Sequence, residues 1–424
     1  MRKLKPLVWL GALLLVMSMF AIVACQPATG GGEVKEEKAP VVVPEPNENG
    51  VVTADMWKDI YPDIYASYKL NSNNSDNPSY LEQYPFMVTI YDGMGFAKDY
   101  NEARSHLYTL EDLAATARPH PSGNCITCKT PELSAMVNAG WKGAEGKGAY
   151  GSPYEEVIAN ITEPVSCYNC HENNADGVIS YPAQYVKDAL GADASQMNEV
   201  IQACGQCHNE YFFDPGNGGA VTLPWTGLDK MNPDDMLAFY NEPNFDKGEG
   251  LEPFWDFKNS ISGTKMIKVQ HPEMETILGK GTKLPQMTGI ENCSDCHMGK
   301  TTNDAGEEYT SHLWQSPLSN TELLETCDAC HDTKVKVDAI HEDTHDRLVS
   351  IGGKLENLHK KVGEAAANGK DEAELTELRK VIRDSQFYFD FVQVENSYGA
   401  HNTTLTKNLL DKAEGMIDGG LAKL

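Results

Sequence analysis

The sequence is poor in positive charge. It has 35 lysine and arginine residues against 62 aspartate and glutamate residues, which gives a formal net charge of -27 over 424 residues. The phosphates of DNA or RNA would repel so acidic a chain, so we exclude nucleic acid as a partner. For the same reason, an anionic substrate would need positive charge concentrated at its binding site.

Long apolar runs are also scarce. The run from Leu7 to Ala24 follows three basic residues and ends on small residues before Cys25. This pattern is typical of a secretory signal in residues 1–24 and not of a membrane span, because the run is short. The ending IVAC resembles a bacterial lipobox, so we expect an extracytoplasmic protein, in the periplasm or on the outer face of the cytoplasmic membrane, attached through lipidated Cys25. The alternative is an ordinary signal peptide in which Cys25 is incidental.

Cysteine is nearly absent outside five pairs. The eleven cysteines are Cys25 and five Cys-x-x-Cys pairs, and four pairs are followed by histidine and one by lysine. The motifs are Cys125, Cys128 and Lys129; Cys167, Cys170 and His171; Cys204, Cys207 and His208; Cys293, Cys296 and His297; and Cys327, Cys330 and His331.

These motifs predict covalently bound haem. In Cys-x-x-Cys-His, two thioethers hold the porphyrin edge and the histidine binds the iron. Zinc sites are disfavoured because the gaps between pairs are long and irregular, and disulfides because a three-residue loop is strained and easily reduced. We therefore expect five c-type haems.

The pattern along the chain predicts a mainly α fold of the multihaem cytochrome c type, with short helices and loops packed around five haems. We expect a flexible tether in residues 25–55, a haem-binding catalytic core in residues 56–333, and long C-terminal helices in residues 334–424. The helices are predicted at 334–367, 371–398 and 402–418, and they either pack on the haem core or form a dimer interface.

The motif order resembles that of pentahaem cytochrome c nitrite reductases, which form ammonia. One Cys-x-x-Cys-Lys precedes four Cys-x-x-Cys-His motifs, with CGQCHNEYFF in the middle and KVQHPEMET before the fourth histidine motif. The resemblance extends from about residue 95 through the C-terminal helices. It implies the six-electron reduction of nitrite to ammonium at a lysine-ligated haem, which receives its electrons from four other haems.

The resemblance also implies the second axial ligands of the other haems. Beyond the motif histidines the sequence has eight more: His106, His120, His271, His312, His341, His345, His359 and His401. The resemblance assigns His106 to the haem at Cys204 and Cys207, His312 to that at Cys167 and Cys170, and His401 to that at Cys293 and Cys296. For the haem at Cys327 and Cys330 no histidine stands at the family's position, and we hypothesise that Met287 replaces it, with Lys280, Lys283 or an empty site as alternatives.

Lys129 is the expected ligand of the catalytic haem. A lysine amine binds iron only when it is neutral, so Lys129 must lie where burial and the metal remove its proton. The resemblance places Arg118, Tyr211 and His271 above this haem, where they would supply positive charge, hydrogen bonds and protons to nitrite. The alternative is that CITCK is a decayed haem site.

The resemblance further implies a calcium site. Glu210 would contribute its carboxylate, Gln270 its amide oxygen, and Tyr211 and Lys268 their backbone carbonyls, an all-oxygen set that suits a hard cation. The expected partners are a membrane-bound multihaem quinol dehydrogenase as electron donor and a second copy in a homodimer. The rival functions are a multihaem electron-transfer protein and a related enzyme acting on hydroxylamine or a sulfur oxyanion.

Overall fold

The computed structural model describes residues 41–119, 122–246, 250–279 and 291–424. Residues 1–40 lie outside this range, and so do the predicted signal and Cys25. Among the helices that are described, none is both long enough and apolar enough to cross a membrane. The residues from Val42 to Leu424 form one compact unit.

The predicted mainly α fold is confirmed. Short helices and loops fill the chain up to the last cysteine motif, because glycine, proline and asparagine interrupt each helical stretch. In the described residues they are α1 Ala54–Trp57, α2 Pro62–Lys69, α3 Tyr80–Gln83, α4 Met87–Ile90, α5 Thr109–Ala115, α6 Glu132–Asn138, α7 Tyr154–Ile158, α8 Tyr168–His171, α9 Gln184–Leu190, α10 Glu199–Gly205, α11 Pro233–Asn241, α12 Glu273–Leu278, α13 Cys293–His297 and α14 Thr321–Asp328.

Strands are few and short in the described chain. They form four antiparallel hairpins: β1 Phe212–Asp214 with β2 Ala220–Thr222, β3 Phe245–Asp246 with β4 Leu251–Glu252, β5 Phe257–Lys258 with β6 Lys265–Met266, and β7 Lys300–Thr302 with β8 Glu308–Thr310. In the first hairpin Phe213 pairs with Val221, and in the last Thr301 pairs with Tyr309.

Three long helices complete the chain: α15 Thr333–Ala367, α16 Glu372–Gln393 and α17 Thr403–Leu421. Each begins at a side chain that accepts hydrogen bonds from free backbone N–H groups, namely Asp332, Asp371 and Asn402. Their apolar stripes are buried, at Leu348, Ile351, Leu355, Leu358 and Val362 on α15, at Leu375, Leu378 and Ile382 on α16, and at Leu409, Leu410 and Ile417 on α17. The three helices therefore pack against one another.

The helices also pack on the core that carries the cysteine motifs. Gly352 of α15 lies against the ring of Phe86, and a Cβ atom there would come within 2.3 Å of that ring. Arg383 of α16 donates hydrogen bonds to the carbonyl oxygens of Lys265, Tyr240 and Phe254 at 3.0, 3.1 and 2.6 Å. These contacts hold α16 against the segment that leads to His271.

Two predicted boundaries differ from the structure. The tether predicted for residues 25–55 ends earlier, because Val51 and Val52 are fully buried and the Val52 N–H donates to the Asn173 side chain at 2.9 Å. The helix predicted to reach residue 398 ends at Gln393. Tyr398 and Gly399 have positive φ values of 47° and 91°, which a helix does not allow.

Candidate haem-binding and active site

The cysteine motifs are built on single helical turns. In three of them, the backbone N–H of the second cysteine donates to the carbonyl of the first at 3.2 Å: Cys170 to Cys167, Cys207 to Cys204, and Cys330 to Cys327. Such a turn places both sulfurs within reach of one ligand edge. The ten cysteines of the motifs are free of disulfides.

Different motifs lie next to one another. The Cys128 thiol lies 3.9 Å from the carbonyl oxygen of Gln206, which brings the first motif against the third. Helix α10, which carries Cys204, packs against helix α13, which carries Cys293, and this brings the third motif against the fourth. Since haem attachment uses these sulfurs, neighbouring motifs imply neighbouring haems.

Three pairs of histidines face each other across similar gaps. Their ring centres are 6.1 Å apart for His106 and His208, 6.3 Å for His171 and His312, and 6.0 Å for His297 and His401. These are the three pairs that the sequence resemblance assigned. His208 has a second histidine neighbour, His271, with a centre-to-centre distance of 6.5 Å.

Three further side chains lie near the first motif and its Lys129. Arg118 and Lys129 are close enough to the Cys125 thiol to lower its pKa, although burial has the larger effect and raises it. The pKa of Tyr211 is raised well above its ordinary value, first by burial and then by the charges of Cys128 and Cys125. The pKa of His271 falls to about 4, chiefly through burial, and Lys129 lowers it further. The structure thus brings Arg118, Lys129, Tyr211 and His271 together.

Arg118 makes no close ion pair in the described chain, although its charge is near enough to Asp99 to help lower the pKa of that carboxyl. Its guanidinium lies 4.4 Å above the ring of Phe96 and its Nε donates to Thr116 Oγ1 at 3.1 Å. In the described part of the chain, no carboxylate oxygen lies within ion-pair distance of it. By contrast, Arg104 lies 3.9 Å above Tyr108 but pairs with both Glu111 and Asp112.

Tyr211 and His271 are held by two segments that bond to each other. The backbone N–H of His271 donates to the Asn209 carbonyl at 3.3 Å, and that of Gln270 donates to Glu210 Oε2 at 2.6 Å. The Nδ1 atom of His271 is buried and has no hydrogen-bond partner among the described residues. It is therefore available to a ligand.

Several known proteins are similar to this chain. A family model described as cytochrome c552 matches residues 53–424. The chain belongs to the cytochrome c552 family. It is 28% identical over 423 residues to a cytochrome c-552 of Aliarcobacter butzleri, covering 90% of this chain and 78% of that protein.

This cytochrome is also similar to a solved cytochrome c nitrite reductase from Desulfovibrio desulfuricans. The two share 25% of their residues with a TM-score of 0.77, covering 89% of this chain and 86% of the other, and two calcium sites are described in that protein's catalytic subunit. The fold class predicted from the sequence, and its resemblance to nitrite reductases of this kind, are therefore confirmed.

A cytochrome c carries covalent haem, and the residues of this chain fit it. Two imidazoles bound to one iron, each by a bond of about 2 Å, have ring centres about 6 Å apart. The three histidine pairs meet this distance. The paired sulfurs of each motif and the histidine or lysine that follows complete the attachment chemistry.

The residues predicted to bind calcium also converge. The Gln270 side-chain amide contacts the Lys268 carbonyl at 2.8 Å, and the Glu210 carboxylate lies between Gln270 N and the Tyr240 hydroxyl, which donates to it at 2.8 Å. Burial raises the pKa of Glu210 well above its ordinary value, so a bound cation would stabilise its ionised form. In the described chain no three His, Cys, Asp or Glu side chains cluster as a metal site, but the predicted set needs only one carboxylate.

Some predicted residues cannot be placed in the site. Met287, Lys280 and Lys283, the candidates for the haem at Cys327 and Cys330, lie outside the described residues. His331 of that motif is exposed, with Nδ1 3.4 Å from the Thr333 hydroxyl.

Three side-chain contacts near the site were not predicted from the sequence. The Lys268 ammonium lies over the rings of Tyr91, Phe96 and Tyr100, at 5.1 to 5.3 Å, and burial lowers its pKa to about 8. Glu273 and Glu395 place carboxylates beside His208 and His401. No spacing rule links Glu395 to His401, so the sequence held no signal for that contact.

Proposed function

We propose that this protein reduces nitrite to ammonium, using six electrons and eight protons and releasing two waters. The observation that carries the proposal is the gathering of Arg118, Tyr211, His271 and Lys129 around the first cysteine motif. The similarity of the whole fold to a cytochrome c nitrite reductase supports it.

Lys129 is the proposed iron ligand in this pocket. Five covalent haems are proposed for the five motifs, and haem iron supplies the redox chemistry and a coordination site for a small anion. Lys129 belongs to the one motif without histidine, and its backbone is fixed by bonds to Ile126 and Thr109, both at 2.8 Å.

The other three residues would act on the substrate. Arg118 attracts and orients the nitrite anion, because its charge is stacked on Phe96 and is not neutralised by an ion pair in the described chain. The unpaired Nδ1 of His271 and the Tyr211 hydroxyl provide hydrogen bonds and hold protons at the oxygen atoms that leave as water. The cost of placing an anion near a chain of net charge -27 is offset locally by Arg118 and Lys268.

The three histidine pairs indicate the second iron ligands of three other haems. We propose His106, His312 and His401 as the second ligands of the haems at Cys204, Cys167 and Cys293, respectively. His106 is preferred over His271 as the partner of His208, because it leaves His271 for the substrate pocket. Met287 remains the proposal for the haem at Cys327.

We further propose a calcium ion held by Glu210, Gln270 and the carbonyls of Tyr211 and Lys268. It would fix the two segments that carry Tyr211 and His271. The proposed setting is extracytoplasmic, with a lipid anchor at Cys25, a membrane-bound multihaem quinol dehydrogenase as donor, and a homodimer through the long helices.

The test is ammonium formation by the purified haem-containing protein given nitrite and a reduced viologen dye. We expect one ammonium for each nitrite consumed and six dye electrons for each ammonium. Oxidation of the dye without ammonium would assign the pocket to another substrate, such as hydroxylamine or a sulfur oxyanion. No oxidation by a protein with five haems would favour an electron-transfer protein.

A further inference from the structure

The histidines of the three pairs differ in what their second ring nitrogen contacts. For His171, His297 and His312, Nδ1 lies 3.1, 3.0 and 3.0 Å from a backbone carbonyl oxygen, of Val178, Gln315 and Thr310. For His401, Nδ1 lies 2.5 Å from the carboxylate oxygen Oε1 of Glu395. The pair formed by His297 and His401 is therefore asymmetric. The Nδ1 atom of His297 contacts a neutral carbonyl oxygen, whereas the Nδ1 atom of His401 contacts a charged carboxylate oxygen.

The carboxylate of Glu395 is buried and held in place by hydrogen bonds. Only 3% of this residue is exposed. Its second oxygen, Oε2, accepts hydrogen bonds from the hydroxyl of Ser397 at 2.5 Å and from the Ser397 backbone N–H at 3.3 Å. The same hydroxyl accepts a bond from the backbone N–H of His401 at 2.9 Å. The turn between α16 and α17 thus fixes the acid and the imidazole relative to each other.

The electrostatics of the rings follow this difference. A carboxylate carries a negative charge and a backbone carbonyl does not. Glu395 therefore places negative charge beside His401, whereas Gln315 places none beside His297.

A second carboxylate offers an internal comparison. Glu273 Oε2 lies 3.6 Å from His208 Nδ1, too far for a hydrogen bond. Its other oxygen accepts bonds from the backbone N–H and side-chain amide of Asn396, at 3.2 and 2.6 Å. The turn that carries Glu395 also orients Glu273, but only Glu395 bonds directly to an imidazole that we propose as an iron ligand.

We propose that Glu395 is a positioning residue that lowers the reduction potential of the haem at Cys293 and Cys296 through His401. An imidazole that donates its N–H to a carboxylate becomes a more basic ligand, and it stabilises ferric over ferrous iron. The inference rests on the proposed assignment of His401 as the second ligand of that haem.

The position of this haem indicates in which direction a lowered reduction potential would drive electrons. Because α10, which carries Cys204, packs against α13, which carries Cys293, the haems at these two motifs would be neighbours. The motif of Cys204 and Cys207 in turn contacts the lysine motif, because the Cys128 thiol lies 3.9 Å from the carbonyl oxygen of Gln206. A low potential at the haem of Cys293 would favour electron transfer toward the pocket of Lys129.

The decisive variant is Glu395→Gln, which keeps the shape and the hydrogen-bond acceptor but removes the charge. Redox titration of the haem-containing protein, followed by optical and electron paramagnetic resonance spectra, would measure the potential of each haem. We expect one haem to shift upward, with its oxidised-to-reduced ratio at a fixed ambient potential falling at least tenfold, equivalent to 59 mV for one electron. The other four should stay unchanged.

Two matched variants separate charge from structure. Glu82→Gln removes one charge from an exposed position and should move no potential. Ser397→Ala removes a donor to the carboxylate but keeps its charge, so the potential should not rise. A rise in Ser397→Ala equal to that in Glu395→Gln, or a low-spin haem turned high-spin by Glu395→Gln, would overturn the proposal in favour of a purely structural role.

His401→Ala distinguishes failure of the inference from failure of the ligand assignment. If one haem becomes high-spin in His401→Ala, the ligand is assigned, and an unshifted potential in Glu395→Gln then overturns the tuning alone. If no haem changes its spin state in His401→Ala, His401 is not a ligand and both proposals fail.

Discussion

The Oε2 atom of Glu210 accepts a hydrogen bond from the backbone N–H of Gln270 at 2.6 Å, and so joins the segment of Tyr211 to that of His271. Because this buried carboxylate lies next to the Gln270 segment, whose side-chain amide contacts the Lys268 carbonyl, we expect a cation at this point. Metal analysis of the purified protein after mild chelation should find about one calcium per chain at this set of ligands.

The variant Glu210→Gln should lose that calcium and lower the rate of nitrite reduction, because both pocket segments lose a common anchor. Glu82→Gln, with the same change at an exposed position, should keep the metal. A wild-type protein that contains no calcium would contradict the site.

Arg118 should dominate the capture of nitrite. Replacing it with glutamine removes the charge that lies 4.4 Å above Phe96, and we expect kcat/KM for nitrite to fall about 100-fold. Arg347→Gln is the control, because Arg347 pairs with Asp411 and Glu414 on the long helices. Equal losses in both variants would argue against a role of Arg118 in the pocket.

The histidine pairs predict the spin state of the haems. His106→Ala and His312→Ala should each convert one haem from low-spin to high-spin, since each ring lies about 6 Å from its partner. Electron paramagnetic resonance of the oxidised protein would report this. His359→Gln should leave every haem unchanged, because both ring nitrogens of His359 already bond to Ser262 and Gln386.

His359 should make stability depend on pH. Burial lowers its pKa from 6.5 to about 4, so the unfolded chain takes up a proton at a higher pH than the folded chain. Folding stability should therefore decrease as the pH falls through 6.5 and level off near pH 4, with a total loss of about 3 kcal/mol from this residue.

Denaturant unfolding at several pH values, followed by circular dichroism, would measure this loss. His359→Gln should show a smaller decrease than the wild type over that interval. His345→Gln changes an exposed histidine of the same helix and should keep the wild-type profile. Identical profiles for all three proteins would refute the assignment.

Much of the chemistry was readable from the sequence because covalent attachment needs a fixed local pattern. The five cysteine pairs, Lys129 in place of histidine, and the helices after Cys330 depend on spacing within a few residues, which the sequence states directly. The pairing of His106, His312 and His401 came from a resemblance to known proteins, and residue spacing alone would not have found it.

Features that depend on contacts outside the local sequence pattern were decided by the tertiary structure. Burial of Val51 and Val52 shortened the predicted tether, and α16 ended at Gln393, before the turn in which Tyr398 and Gly399 have positive φ values. The same turn brings Glu395 to His401, a contact between side chains six residues apart that follows no helical or strand period. The sequence by itself determined which groups can hold haem. Only the folded chain determined which charged side chains lie beside those groups, because electrostatic effects depend on distance and burial in space.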